Sequence, residues 1–384
     1  MALSSTARPI RIDGDDARRV TLWPTHPVSR WLVRLAYAAP FLVLAVLLGD
    51  TSGAPFATPN ATLAQQVRLI DPNETGVVAI NSLYPPLTTI TARLLLLLPF
   101  GTTSLSVAGA LIAGVAAHRL VETMWRRRFA WYQTAAFSLA LIGTPLFGYL
   151  VTTDYGQTLC LTLFALGMAD LVRFTALANT QAGFRAGLYF AGAALSSTMG
   201  IVYVLIAAAI VPLIKPSWRA RGARWANLLV VTFPALGCFA AAALLQAAFA
   251  GTVLAILPSG FSLDADRLQT LATTFSSVQG LLILAPVAVG MLGTVLLRRP
   301  AAMVIMILLL LAVLTAYGLT LLPLGSVGVI FMLILVVLLS ITPGGVRRWQ
   351  RVTLSLLALS LLGIGWADAL GRNNVLLWME RLAG

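Results

Sequence analysis

Apolar and polar positions in this chain come in long blocks. Predominantly apolar runs of roughly 17–25 residues recur along the chain, the length a helix needs to cross a hydrocarbon layer. They lie at 31–49, 103–120, 129–151, 156–173, 225–249, 275–297, 301–320, 324–342 and 351–368. Short polar clusters separate them. The block 184–214 is too long for one crossing and short for two. The shorter run 85–100, "PPLTTITARLLLLLPF", follows a polar stretch and is itself followed at once by the run at 103.

Charge decides the ambiguous block. If 184–214 crosses twice, with a break near "SSTMG" (196–200), the basic clusters 8–34, 119–128, 173–185, 215–224, 298–299 and 347–351 share the side of the N-terminus. That side then holds 21 of the 26 basic residues. A single crossing would scatter them, so the positive-inside rule favours two short spans. The pattern predicts an all-α, polytopic transmembrane bundle of about eleven spans. Its N-terminus is cytoplasmic and its C-terminus outside, and a bacterial inner (cytoplasmic) membrane is the expected location. Residues 1–30 form a cytoplasmic basic segment. Residues 31–368 form the membrane domain, with outer loop 50–102. Residues 369–384 form an outer amphipathic tail; over "WADALGRNNVLLWMERL", which begins at Trp366, the spacing of Trp366, Leu370, Leu377 and Trp378 suits an interfacial anchor.

Composition supports this class. The chain is 59% hydrophobic and only 10% charged, against about a quarter charged in a soluble domain. The net charge of +13 does not point to nucleic acid, because the basic residues sit in short clusters between spans. Cys160 and Cys238 lie in apolar runs and read as packing residues. The polar N-terminus has no cleavable-signal pattern. There is no P-loop and no strand–GxGxxG–helix unit, so nothing suggests nucleotide use. No internal repeat is visible.

On this topology the outer face collects Asp50, Asp71, Glu74, Asp154, Asp264, Asp266, Asp368 and Glu380, eight of the 13 acids. Asp154 lies between two spans. It can cap the helix opening at Tyr155, or it can face a cavity as an acid/base or as a ligand for a divalent cation. No other cofactor is indicated. Asp50 reads as an interfacial acid, and Asp71 and Glu74 sit in the turn-forming "DPNETG". Asp264, Asp266 and Arg267 suit an N-cap. Residues 85–100 read as a helix in the outer interface, opened by Pro85–Pro86 and stopped at Pro99 and Gly101. Arg93 within it can snorkel to water or hold a lipid phosphate. His26 and His118 are too far apart for a metal site.

The order of these features resembles the C-type superfamily of membrane glycosyltransferases (GT-C), over about residues 30–215. The carriers are the aromatic–Pro-Pro…Phe-Gly segment "LYPPLTTITARLLLLLPFG" (83–101), the Arg-rich "HRLVETMWRRRFA" (118–130), Pro145 with Asp154, and the broken pair in 184–214. The resemblance implies a GT-C-like bundle with juxtamembrane helices in the first outer loop. It also implies transfer of a sugar from a polyprenyl-phosphate donor on the outer face. Catalytic candidates are then Asp154, Asp50, Asp71 and Glu74. Substrate-binding candidates are Asn60, Arg68, Tyr84, Arg93, Tyr155 and Arg267, and Asp154 is the candidate for a metal. The family's usual acid in the first juxtamembrane helix is here Asn60, within "ATPNATLAQQVRLI" (57–70). That substitution keeps a second reading open: a catalytically silent subunit that binds a membrane lipid or a partner protein. A transporter is a third reading, weakened by the absence of an inverted repeat.

Overall fold

The computed structural model describes residues 24, 26–48, 58–70, 85–177, 179–213, 224–250, 263–297, 300–322, 328–342 and 347–383. Among these residues the regular structure is entirely helical. The first half of the chain forms α1 (Pro27–Leu48), α2 (Pro59–Leu69), α3 (Pro86–Leu95), α4 (Thr103–Arg126), α5 (Trp131–Ile142), α6 (Pro145–Thr153), α7 (Tyr155–Leu177), α8 (Thr180–Ser196) and α9 (Thr198–Ile210). The second half forms α10 (Arg224–Ala250), α11 (Ala265–Phe275), α12 (Val278–Leu296), α13 (Pro300–Gly318), α14 (Val329–Ile341), α15 (Arg348–Leu370) and α16 (Asn373–Ala383).

Among the described residues six helices are long and apolar enough to cross a membrane: α1, α4, α7, α10, α12 and α15. The bent pair α5–α6 makes a seventh if it is one span. The chain is an integral membrane protein. Segments Thr198–Leu213, Met303–Gly318 and Phe331–Ser340 are apolar but shorter.

The sequence pattern makes 129–151 one span, but the structure bends it by 52° between α5 and α6. Pro145 supplies no N–H, and it holds Thr144 extended at φ −92°, ψ 142°. Trp366 on α15 donates its indole N–H to the Gly143 carbonyl at this break, at 3.1 Å. The block 184–214 does break near 196–200. Ser197 is extended between α8 and α9, and its hydroxyl accepts the Met199 N–H at 3.2 Å, starting α9. The run 85–100 is helical only to Leu95, after which 96–102 turns. Ten residues span about 15 Å, half a bilayer, so α3 cannot cross.

Small residues set the helix spacing. A methyl on Gly109 of α4 would lie 2.4 Å from the Val151 carbonyl oxygen of α6. A methyl on Gly114 would lie 2.5 Å from Ala38 Cβ of α1. Where the driving force is packing, small residues are what permit such approach. α14 is the innermost helix, and every residue from Phe331 to Ser340 is buried, as befits a helix that is apolar all round. Arg127 closes its end, donating from Nη1 to the Leu339 and Ser340 carbonyls at 3.1 and 2.9 Å. A cation there also opposes the partial negative charge of the helix C-terminus. Burial, and then the neighbouring Arg173, pull the Arg127 guanidinium pKa down to about 10, so it stays charged at neutral pH.

Candidate functional site

The short helices α2 and α3 pack against each other and against α4 and α7, around Ala64, Val67, Ala92, Leu105 and Tyr155. Thr58 caps α2, its hydroxyl accepting the Ala61 N–H at 3.3 Å, and Pro59 fills the first turn. This seats Asn60 against the bundle with 1% of its surface exposed. Its amide Nδ2 donates to the Thr152 carbonyl at 3.1 Å, and its Oδ1 accepts the Tyr155 N–H at 2.8 Å. Ser106 of α4 also donates to the Thr152 carbonyl. One asparagine thus bridges the junction between α6 and α7, where the backbone groups have no helical partner.

Asp154 occupies that junction and is buried, 6% exposed. One carboxylate oxygen accepts the Gln157 N–H at 2.9 Å, the bond of an N-cap. Gln157 carries the network onward. It donates to the Tyr203 hydroxyl at 2.7 Å and accepts from the Ser197 hydroxyl at 3.0 Å. Thr88 of α3 donates to the Ser196 carbonyl. The Tyr155 hydroxyl donates to Thr91 of α3 at 3.0 Å. The broken ends α6–α7 and α8–α9 therefore meet under the juxtamembrane pair through polar side chains.

The other predicted residues divide. Arg93 is half-buried and donates from Nη1 to the Ile70 carbonyl at 3.0 Å, closing the C-terminus of α2. Arg68 is exposed on the same helix. Arg267 belongs to another part of the fold. It donates to the Tyr317 and Leu322 carbonyls at 3.3 and 3.1 Å and pairs with Asp264 at 3.4 Å. Asp264 is an N-cap, accepting the Asp266 and Arg267 N–H groups, but of the short helix α11 and not of the span α12 that the sequence pattern predicts it to open. Asp50, Asp71, Glu74 and Tyr84 lie outside the described residues. Among the described residues no three His, Cys, Asp or Glu side chains come together as a metal site.

The tail also enters the site. Trp378 of α16 is buried and donates its indole N–H to the Thr152 hydroxyl at 3.1 Å, edge-on to Tyr149. Val375 is buried beside it in the core, while Trp366 and Leu370 are exposed. One face of α16 is therefore committed to protein.

No family model, curated protein or solved structure matches this chain.

Sequence reading did not single out Ser106, Thr152, Gln157, Ser197 or Tyr203. Gln157 carried a usable signal, since a carboxamide inside an apolar span requires a buried partner. The serines and threonines carried none, because their hydroxyls bond equally well to the carbonyl of the preceding turn.

Proposed function

We propose that this chain is a GT-C-like membrane subunit that holds a membrane lipid or a partner protein at its outer face and does no chemistry itself. The observation that carries this reading is the bonding of Asn60, at the place of the family's acid. Its amide is used both as donor, to Thr152, and as acceptor, from Tyr155. A carboxylate there would set a lone pair against the Thr152 carbonyl. An amide supplies both bonds without titrating, and an amide is no base. In this reading about eleven helical segments cross a bacterial inner membrane, N-terminus cytoplasmic and C-terminus outside. The pair α2–α3 roofs the outer end.

One observation favours a second reading, an active transferase using a polyprenyl-phosphate-linked sugar. Asp154 is a carboxylate at an unwound junction beneath α2 and α3, and Asp50, Asp71 and Glu74 flank the same two helices in sequence. A divalent cation would then be shared between Asp154 and those acids. Arg93, with Arg68, would hold the phosphate, and Arg93→Ala would mainly weaken donor binding.

The two are separated by incubating purified protein with a labelled polyprenyl-phosphate sugar. The subunit reading expects no transfer from the natural chain or from Asn60→Asp, and a partner that stays bound through purification. Transfer that falls by roughly 10²–10⁴-fold in Asp154→Asn, the cost of a lost general base, would replace it with the enzyme reading.

A further inference from the structure

A second polar cluster lies about 20 Å along α4 from Ser106, at the opposite end of the helix. There α1 and α4 touch closely, since a methyl on Gly114 would also lie 2.7 Å from the Arg34 carbonyl oxygen. α1 contributes Arg30 and Arg34, one turn apart. α4 contributes Arg119, Glu122 and Arg126. Glu122 is buried and already doubly engaged, by Arg119 at 3.0 Å and by Arg126. Two guanidinium groups thus pair with one carboxylate, and Arg34 lies within electrostatic reach of Glu122, Arg119 and Arg30. Arg30 uses its Nε on the Pro24 carbonyl at 2.8 Å. Arg34 lies over the Trp31 ring, 4.5 Å from its centre. The Arg34 Nε is buried and has no acceptor among the described residues. The indole N–H of Trp125, in the last turn of α4, is likewise buried without one.

Buried donors are nearly always satisfied. Among the described residues this region has excess positive charge and a buried Arg34 Nε without an acceptor, and it therefore calls for an anionic acceptor. The surroundings select which one. Trp31, Leu32 and Leu35 on the same stretch of α1 are exposed and apolar. A phosphate carried on acyl chains matches both surfaces at once, whereas free phosphate leaves the apolar one bare. We propose that this end of α1 and α4 is a binding site for the phosphate headgroup of an anionic phospholipid. Arg34 and Arg119 supply the guanidinium contacts, and Trp31 and Leu35 receive the chains. Plain snorkelling would leave each guanidinium separately in water, which the buried Arg34 Nε is not. The site is independent of the outer-face reading.

The test measures retention of dioleoyl phosphatidylglycerol and dioleoyl phosphatidylcholine on the detergent-purified full chain by native mass spectrometry. The wild type should hold the anionic lipid selectively. Arg34→Gln should weaken that lipid alone by about fivefold, and Arg34→Gln/Arg119→Gln by about 25-fold, on the basis of ~1 kcal/mol per basic residue. Arg347→Gln/Arg348→Gln removes two exposed arginines elsewhere and should leave retention unchanged. Wild type without headgroup preference overturns the proposal whether or not the variants fold. So does an equal loss in the Arg347/Arg348 variant, which would mean diffuse attraction. Displacement of the lipid by millimolar inorganic phosphate would point to a soluble anion and overturn it too.

Discussion

Thr152 is where several parts of the molecule are tied together. Its carbonyl accepts from Asn60 and Ser106, and its hydroxyl accepts from Trp378. Helices α2, α4, α6 and α16 therefore meet at one residue. The demand on Asn60 is equally specific. Asn60→Asp should lower stability by about 1–3 kcal/mol, the cost of leaving buried polar groups opposed, read as a lower melting temperature in detergent. An unchanged melting temperature would mean that the amide donor to Thr152 carries no weight. Asp154→Asn gives the contrasting expectation, because Asn caps a helix about as well as Asp. Its melting temperature should stay within error of wild type, whatever it does to activity; a large drop would show that the charge itself supports the fold. The capping role of Asp154 is one of two readings the sequence leaves open, since an acid directly before a helix start suits an N-cap as well as a cavity-facing carboxylate. The partners of Asn60 are not legible there, because they lie 46 and about 92–95 residues away in the chain.

At the scale of elements the informative places are the breaks. The α8–α9 break depends on Gly200, where a methyl would lie 1.9 Å from the Ala193 carbonyl oxygen and 2.7 Å from Ala194 Cα. Those are backbone atoms and cannot rotate away. Gly200→Ala should cost ~3 kcal/mol or more, seen as loss of monodisperse protein or a large fall in melting temperature. Wild-type behaviour would mean that α8 and α9 do not approach so closely. The α5–α6 bend leaves the Gly143 carbonyl to Trp366. Trp366→Phe keeps an aromatic ring and removes the donor, so it should cost about 1 kcal/mol, measured by unfolding in detergent. The first break is marked in sequence by the Gly- and Ser-bearing "SSTMG", where the apolar block is too long for one helix. The second stays hidden inside a continuous apolar run, although Gly143-Thr144-Pro145 marks it once the pre-proline restriction is applied.

For the whole molecule, topology is the testable property. With Cys238 replaced by alanine, a membrane-impermeant thiol reagent applied from outside should modify a cysteine at position 266 and not one at 126. Both positions are exposed, so accessibility within the protein does not confound the comparison. Cys160 is buried and should stay silent. Labelling at 126 from outside would invert the orientation, and labelling at an introduced cysteine at 221 would make 184–214 a single crossing.

The sequence by itself determined the class of this protein, an all-helical membrane protein, and the positions of most of its long apolar helices. Those follow from local quantities: the length of each apolar run and the prolines and glycines that interrupt it. It also marked the segment before α4 and Asp154 as places where polar groups interrupt the apolar runs. Only the tertiary structure decided what those groups do. It put Arg93 on the end of α2, Asn60 across the α6–α7 junction, Trp378 into the bundle and α14 at its centre. The physical reason is that an apolar stripe specifies burial without specifying a partner. A hydroxyl or amide likewise specifies a need for hydrogen bonds without saying which distant backbone group will meet it.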